Sequence, residues 1–260
     1  YLLVAAKHAG VDRIYKAGSA WAIAALTYGT QTIDKVDVIV GPGNIYVTLA
    51  KKLVMGTVQI DMIAGPSEVL VMADDQADPD YIAADMLAQA EHDARASAVL
   101  VTDSERLAET VNDALERQVI QLQRRQVAEQ SLKSYGAIFV VPDMDTAIVL
   151  ANRIAPEHLE LQVADPFAYV GRIRHAGAVF MGPYTPEPVG DYMAGPNHVL
   201  PTAGTARFSS ALSVNHFLKQ TSLIHYTEAA FRQEAEDILC LAQIEGLTAH
   251  ARSVGIRLEK

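Results

Sequence analysis

Cysteine and positive charge are both scarce in this chain. One cysteine, Cys240, occurs in 260 residues, which excludes an internal disulfide framework and is typical of a reducing compartment. We therefore expect a cytoplasmic protein. The chain has 21 lysines and arginines but 31 acidic residues, so its formal net charge is −10. This charge excludes the basic footprint of a nucleic-acid-binding protein. The expected partners are small molecules.

Long hydrophobic runs are missing as well. The apolar stretch over residues 1–6 is too short to span a bilayer and is typical of part of a helix. No small-residue cleavage site follows a charged start, so a secretory signal is not indicated. We expect no membrane association. Because the first residue is Tyr1 rather than methionine, we also expect that further residues precede it.

Short β-branched runs alternate with helix-length segments, and this alternation predicts an α/β fold with mostly parallel strands. The runs occupy residues 12–15, 36–40, 59–62, 69–72, 98–102, 137–141 and 178–181. Asp78 and Pro79 predict a helix start, as N-cap and first helical residue. One surface helix is predicted over residues 104–131. From about residue 202 the alternation ends, and a loop, a short strand-like run over residues 222–226 and two helices are expected.

Gly-Pro pairs mark turns at residues 41, 65, 182 and 195. In open α/β sheets ligands bind beyond the carboxyl ends of strands, so Asn44, Ser67 and Asp191, which follow these turns, become site candidates. The first turn resembles the start of a dinucleotide-binding turn, but Tyr46 stands where a third glycine is needed. A purely structural strand-to-helix turn is the alternative.

Gln89 and His92 are spaced to project from one face of a predicted helix. An amide oxygen and an imidazole nitrogen at that spacing favour a shared metal ion. Zinc normally takes four ligands, so the remaining ones must come from other parts of the chain. Spacing alone does not identify them.

Three further positions combine polar groups suited to chemistry. Glu157 and His158 are adjacent, an arrangement typical of general acid and base work, although a helix start with Glu157 near its positive end is an equal alternative. Asp191 lies in a loop rich in turn-forming residues. His250 is as easily a surface residue of a terminal helix. Cys240 lies in an apolar helical context, which predicts an inert buried thiol.

Residues 60–69 and 84–93 closely resemble the signature of the histidinol dehydrogenase family. The likeness covers essentially the whole chain and continues through residues 40–44, 155–159, 184–187, 190–201 and 245–251. Members of that family carry a further N-terminal portion, so this chain is similar to the C-terminal portion of the family's chain.

The resemblance implies an α/β protein of two incomplete Rossmann-like layered domains with mostly parallel sheets, plus a C-terminal extended and helical tail used in dimerisation. Residues 1–66 would be the remainder of an NAD-binding domain. Residues 67–210 would form the domain that carries the zinc and catalytic residues. Residues 211–260 would be the tail, which contributes to the partner subunit's site, so the family implies a homodimer with shared active sites.

The resemblance also implies an activity, the zinc-dependent oxidation of L-histidinol to L-histidine through L-histidinal with two NAD⁺, the last steps of histidine biosynthesis. One Zn²⁺ per subunit would be bound by Gln89, His92, Asp191 and His250. His158 would take the alcohol proton and Glu157 would activate water. The positions that match substrate contacts are Ser67, Gln89, His92, His158, Asp191, Glu245 and His250. Asn44 matches a cofactor contact.

Trp21 departs from the family, which has a cofactor-contacting glutamine at that position. Indole offers one donor and no acceptor, so the placement of NAD⁺ is in question. Three other interpretations remain: a related dehydrogenase that oxidises another small polar alcohol such as a sulfonated diol, an inactive fragment, and a zinc hydrolase that uses Glu157 with a metal-bound water. Gln89 and Glu245 favour histidinol over a sulfonated diol.

Overall fold

A computed structural model describes residues 1–259, which divide into two compact units. The first unit spans Tyr1–Phe217 and the second begins at Leu218. Parallel sheets and covering helices make up the first unit, which confirms the predicted α/β class. The two sheets separate between Ile60 and Glu68. The domain boundaries at residues 66 and 210 stay predictions.

Within residues 1–259, seven strands form two sheets, and every pairing between them is parallel. A two-stranded sheet contains β1 (Val38–Ile39) and β2 (Gln59–Ile60). A five-stranded sheet has the order β5-β4-β3-β6-β7. Its members are β3 (Glu68–Ala73), β4 (Ser97–Thr102), β5 (Gly136–Val140), β6 (His158–Gln162) and β7 (Ala178–Met181).

Helices connect and cover these strands. In the first unit they are α1 (Leu2–His8), α2 (Ser19–Tyr28), α3 (Ile45–Val54), α4 (Pro79–Ala90), α5 (Glu105–Val119), α6 (Arg125–Tyr135), α7 (Met144–Ile154), α8 (Phe167–Val170) and α9 (Glu187–Tyr192), followed by short 3-10 helices at Thr205–Arg207 and Val214–Phe217. The second unit contains α10 (Glu228–Ile244) and α11 (Thr248–Leu258). Asp78 caps α4 by accepting a hydrogen bond from Asp80 N, as predicted.

The core lies on both faces of the large sheet. On β3, Val69 and Val71 pack into the cluster that contains α4 and α5, whereas Leu70 and Met72 pack into the cluster with α7. All four side chains are almost fully buried. Burying each contributes roughly 1.5–3 kcal/mol, so the centre of this sheet is the most rigid frame available to a site.

Strand β6 carries a polar face inside this core. In its pairing with β3, His158 lies beside Val69 and Leu159 lies beside Leu70. Because side chains alternate along a strand, His158, Glu160 and Gln162 share the face turned to α4, and Leu159 and Leu161 pack on the other side. Every residue of β6 is buried. A buried polar stripe next to a helix is where we look for chemistry.

Several local predictions are wrong. Strand β6 was not predicted, because its alternate polar residues interrupt the apolar run. Residues 12–15 and 222–226 form no strand. The predicted helix over residues 104–131 is two helices, α5 and α6, because the chain turns after Ile120 and brings Leu122 against the core. Cys240 is exposed in the second unit rather than buried.

Candidate functional site

A polar cavity of about 300 Å³ lies between the two sheets of the first unit. The carboxyl edge of the small sheet forms one wall. The amino-terminal ends of the large-sheet strands form the other wall. The sequence predicts site residues after the carboxyl ends of strands, and this arrangement is present only on the small-sheet side. The cavity is lined by Pro42, Gly43, Met62, Ala64, Gly65, Ser67, His92, Glu157, His158, Glu187, Asp191, His198, Val199, Leu200 and Thr202.

His158 is the first residue of β6 and is 3% exposed. Its Nδ1 lies 3.0 Å from the main-chain oxygen of Glu68, at the start of β3. A carbonyl oxygen only accepts, so Nδ1 carries the proton and Nε2 is left with its lone pair. Burial lowers the pKa of His158 to about 4. The imidazole is therefore neutral near pH 7 and suited to accept a proton at Nε2.

Glu157 lies beside it in the turn that enters β6. Ala155 ends α7 in the left-handed region (φ 55°) and Pro156 follows, so the chain turns sharply into the strand. The Oε2 of Glu157 accepts a hydrogen bond from Glu68 N at 3.1 Å and lies 3.8 Å from His158 Nδ1. Burial raises the pKa of Glu157 to about 8. This carboxyl group exchanges its proton near neutral pH, and the alternative of a helix start at Glu157 is wrong.

Glu187 is a site residue that the sequence analysis did not identify. It begins α9, is 4% exposed, and its Oε1 lies 3.9 Å from His158 Nε2 and 4.0 Å from His92 Nε2. Burial raises its pKa to about 7. Its main-chain N donates to Glu160 Oε1 at 3.0 Å. The sole signal in the sequence was its place within the matching residues 184–187.

Asp191 follows one turn later on α9 and completes a cluster of metal-competent groups. Ligand atoms of His158, Glu187 and Asp191 all lie within 4.8 Å of one another. Imidazole nitrogen together with carboxylate oxygen suits zinc. The predicted ligand Asp191 is therefore at the cavity, beside the predicted catalytic residue His158.

Gln89 is fully buried in the last turn of α4, and both Oε1 and Nε2 lack a hydrogen-bond partner in the described protein. A buried polar group without a partner costs roughly 1–3 kcal/mol. Native proteins seldom retain such a group unless something else satisfies it. An amide oxygen with this need fits a metal ligand.

His92 lies beyond α4, which ends at Ala90, so the prediction that Gln89 and His92 share one helix face is wrong. The chain tightens after the helix, and His92 N donates to Gln89 O. This turn directs the half-exposed imidazole of His92 to Glu187 at the cavity. Together these residues fit a bound zinc ion.

The remaining predicted site residues have different environments. Ser67 is half-buried at the cavity, immediately before β3. Asn44 is exposed, and its side chain caps α3 by accepting from Tyr46 N and Val47 N. Trp21 is 79% exposed on α2. Glu245 and His250 belong to the second unit, and both are exposed. Glu245 directly follows α10, and His250 lies in the first turn of α11.

Comparison with known proteins identifies the family of this chain. The family model described as histidinol dehydrogenase matches residues 1–258. The chain belongs to the histidinol dehydrogenase family. A histidinol dehydrogenase of Heliobacterium mobile is 60% identical over 260 residues, covering 100% of this chain and 61% of that protein. One from Desulfotalea psychrophila is 61% identical over 259 residues, covering 100% and 60%.

A solved structure supports the same family. The crystal structure of histidinol dehydrogenase from Elizabethkingia anophelis superposes with a TM-score of 0.93 at 42% identity, covering 99% of this chain and 60% of that one. The chain thus spans about 60% of the length of the relatives it matches. Within residues 1–259, no helix is both long and apolar enough to cross a membrane.

Proposed function

We propose that this protein oxidises L-histidinol to L-histidine through L-histidinal, with one Zn²⁺ per subunit and two NAD⁺ per turnover. The observation that carries the proposal is the buried Glu157 and His158 pair beside the metal-competent groups of Glu187 and Asp191. Family membership supports the substrate, because relatives about 60% identical along the whole chain bear the name of this activity.

The proposed zinc ligands are Gln89, His92 and Asp191 with His250 of the partner subunit. The unpartnered amide of Gln89 and the position of Asp191 support this set. When bound, the zinc ion would supply a Lewis acid that holds the imidazole and amine of histidinol, and NAD⁺ would supply the hydride acceptor. Glu187 would support the site as a carboxylate that faces both imidazoles, since its Oε1 lies 3.9 Å from His158 Nε2, where the proton arrives, and 4.0 Å from His92 Nε2.

His158 is the proposed base of the first oxidation. Its Nε2 has a free lone pair, because Nδ1 donates to the Glu68 carbonyl oxygen. As hydride leaves the alcohol carbon, Nε2 takes the hydroxyl proton and the product is the aldehyde L-histidinal. A neutral imidazole at pH 7 is ready for this transfer without first losing a proton.

Glu157 is the proposed base for the water that hydrates the aldehyde. A pKa near 8 places its proton exchange close to working pH. In the carboxylate form it takes a proton from water as the oxygen bonds to the aldehyde carbon, while the protonated Nε2 of His158 returns its proton to the carbonyl oxygen, giving the hydrated aldehyde and a neutral imidazole. His158 then takes a hydroxyl proton again as the second hydride leaves, and the carboxylic acid of L-histidine results.

The other proposed contacts divide between substrate and cofactor. Ser67, together with Glu245 of the partner subunit, would hold the substrate. Asn44 would contact NAD⁺, and Trp21 would lie at the edge of that contact. A homodimer follows, since Glu245 and His250 are exposed in the second unit and would complete the partner's site. We propose a cytoplasmic location, in keeping with the single cysteine.

The test is NADH formation from L-histidinol by the full-length gene product, measured with zinc removed and then restored. Zinc-dependent release of two NADH per histidinol is the expected result. Turnover of a sulfonated diol in place of histidinol would identify the related dehydrogenase. Hydrolysis without NAD⁺ would identify a zinc hydrolase. Expression of the 260 residues alone as an inactive protein would support the fragment interpretation.

A further inference from the structure

A buried ion pair lies beneath the turn of residues 41–44. Lys51, on α3, has a side chain that is 3% exposed, and the side chain of Asp61, just after β2, is 0% exposed. The Lys51 ammonium donates to Asp61 Oδ1. Removing two charges from water is costly, and an apolar pair of similar volume often stabilises a fold equally well. The pair therefore calls for an explanation other than stability.

Both members of the pair bind the same residue of the turn. Lys51 Nζ donates to Gly41 O at 2.9 Å, and Gly41 N donates to Asp61 Oδ2 at 2.7 Å. Asp61 Oδ1 also accepts from Met62 N at 2.7 Å. The two side chains thus satisfy both main-chain groups of Gly41. They hold Gly41 in a backbone conformation, φ 109°, that residues other than glycine seldom adopt.

The turn is closely fitted on its other side too. A Cβ at Gly43 would lie 2.5 Å from a methyl carbon of Val47 on α3. Pro42 and Gly43 line the cavity, and so does Met62 on the neighbouring strand end. Any displacement of Gly41 would therefore move a wall of the cavity and the Asn44 side chain together.

We propose that Lys51 and Asp61 are positioning residues that hold the turn of residues 41–44 in its cofactor-binding form. This inference rests on the proposed function, because the turn is assigned there to NAD⁺ through Asn44. Fixing a loop in its bound conformation before binding raises affinity, because less conformational freedom is lost on binding. The charged pair restricts the turn of residues 41–44 in this way. The turn lies at a wall of the cavity that contains no buried catalytic side chain.

The test is a double variant, Lys51→Met with Asp61→Asn, in the full-length gene product. Removing both partners avoids leaving one buried charge unpaired. We expect the Kd for NAD⁺, measured by calorimetry, to rise about tenfold, with zinc content unchanged and kcat at saturating NAD⁺ within about twofold of the wild type. Hydrogen exchange at residues 40–44 should become faster. Lys52→Met, an exposed neighbour on α3, is the matched control and should change none of these.

Unchanged NAD⁺ affinity and unchanged exchange at residues 40–44 in a folded double variant would overturn the inference while leaving the proposed function in place. Wild-type protein that binds no NAD⁺ would overturn both. If the double variant fails to fold, Lys51→Gln with Asp61→Asn carries the same test, because it keeps a donor for the Gly41 carbonyl oxygen and leaves no buried charge unpaired. A rise in Kd for NAD⁺ is again the supporting result, and wild-type affinity the opposing one.

Discussion

On the large-sheet side, buried polar side chains line the cavity. On the small-sheet side, the main chain of a turn lines it. Glu157 and His158 are buried and both bind the main chain of Glu68. On the small-sheet side Asn44 is exposed, and the buried Lys51 and Asp61 hold the turn rather than any ligand. Chemistry and cofactor affinity should therefore respond to different substitutions.

The largest expected effect is on the large-sheet side. His158→Ala should lower kcat by roughly 10²–10⁴-fold, the usual contribution of a positioned general base, with zinc content retained. His250→Ala should instead lower zinc content first. Steady-state kinetics and metal analysis of both variants make the test, with the exposed His8→Ala as control. Equal zinc loss in the His158 and His250 variants would contradict this division of roles.

Gln89→Met should separate metal binding from folding. The variant removes the proposed ligand oxygen, so zinc affinity should fall by about tenfold or more. The metal-free protein should be as stable as the wild type or more stable by about 1 kcal/mol, because a buried amide without partners is replaced by an apolar group of similar size.

Chelator competition and chemical denaturation measure these two quantities. Gln162→Met is the matched control, because the Gln162 amide donates to Asp85 Oδ2 at 3.1 Å and its loss should destabilise the metal-free protein. Destabilisation of the metal-free Gln89→Met protein would mean that the Gln89 amide has a protein partner and would count against the ligand assignment.

The buried acids of the large sheet should make the metal-free protein sensitive to alkali. Burial raises the pKa of Glu160 from its ordinary 4.5 to about 9. Between those values the folded state keeps a proton that the unfolded chain has lost, so the free energy of unfolding falls as pH rises from about 5 to about 9. Glu160→Gln should reduce that fall. Denaturation at pH 6 and pH 9 measures it, and a slope equal to that of the wild type would refute it.

Denaturation repeated at pH 6.5 and pH 4 tests His158 in the same way. Burial lowers the pKa of His158 from 6.5 to about 4, so the unfolded chain takes up a proton first as pH falls. The contribution of His158 to the free energy of unfolding should therefore decline between about pH 6.5 and pH 4, opposite in sign to the contribution of the buried acids. His158→Gln should weaken only this acid decline. Glu129→Gln, an exposed carboxylate on α6, should change neither slope.

The smallest effect is expected on the small-sheet side. Trp21→Gln restores an amide that has both a donor and an acceptor, and one net hydrogen bond of about 0.5–1.5 kcal/mol should lower the Kd for NAD⁺ by roughly two- to tenfold. Trp21→Ala is the control and should bring no gain. Calorimetry decides the matter, and weaker binding in the glutamine variant would indicate that the indole stacks on the cofactor.

Sequence periodicity predicted most of the large sheet because its strands are nearly continuous apolar runs, as at Val69 to Met72 and Ala98 to Thr102. It failed at β6 because His158, Glu160 and Gln162 alternate with leucine inside the core. Such a pattern is typical of a half-exposed strand, whereas here the polar face is buried against α4 and α9. The strand that carries Glu160 and the candidate base His158 was therefore the hardest one to predict.

The proposed site residues rest on family likeness more than on spacing. Gln89 and His92 were identified, but the premise of one helix face was wrong, because α4 ends between them. Glu187 was missed, since a lone glutamate after a proline has no periodic signal and its burial depends on contacts with β6 that are distant in sequence. Local chemistry can be read from the chain, but these long-range contacts cannot.

The order of strands in the large sheet has a consequence for how the protein folds. β3, β4 and β5 follow one another in the chain and pair side by side, so this half joins residues nearer in sequence, as Val69 with Ala98, than the pairing of Val69 with His158 does. β6 must then return across the whole of that half to pair with β3, a later and slower closure. Glu157 and His158 reach the main chain of Glu68 only at that step. Catalytic competence is thus expected among the last properties a folding chain acquires.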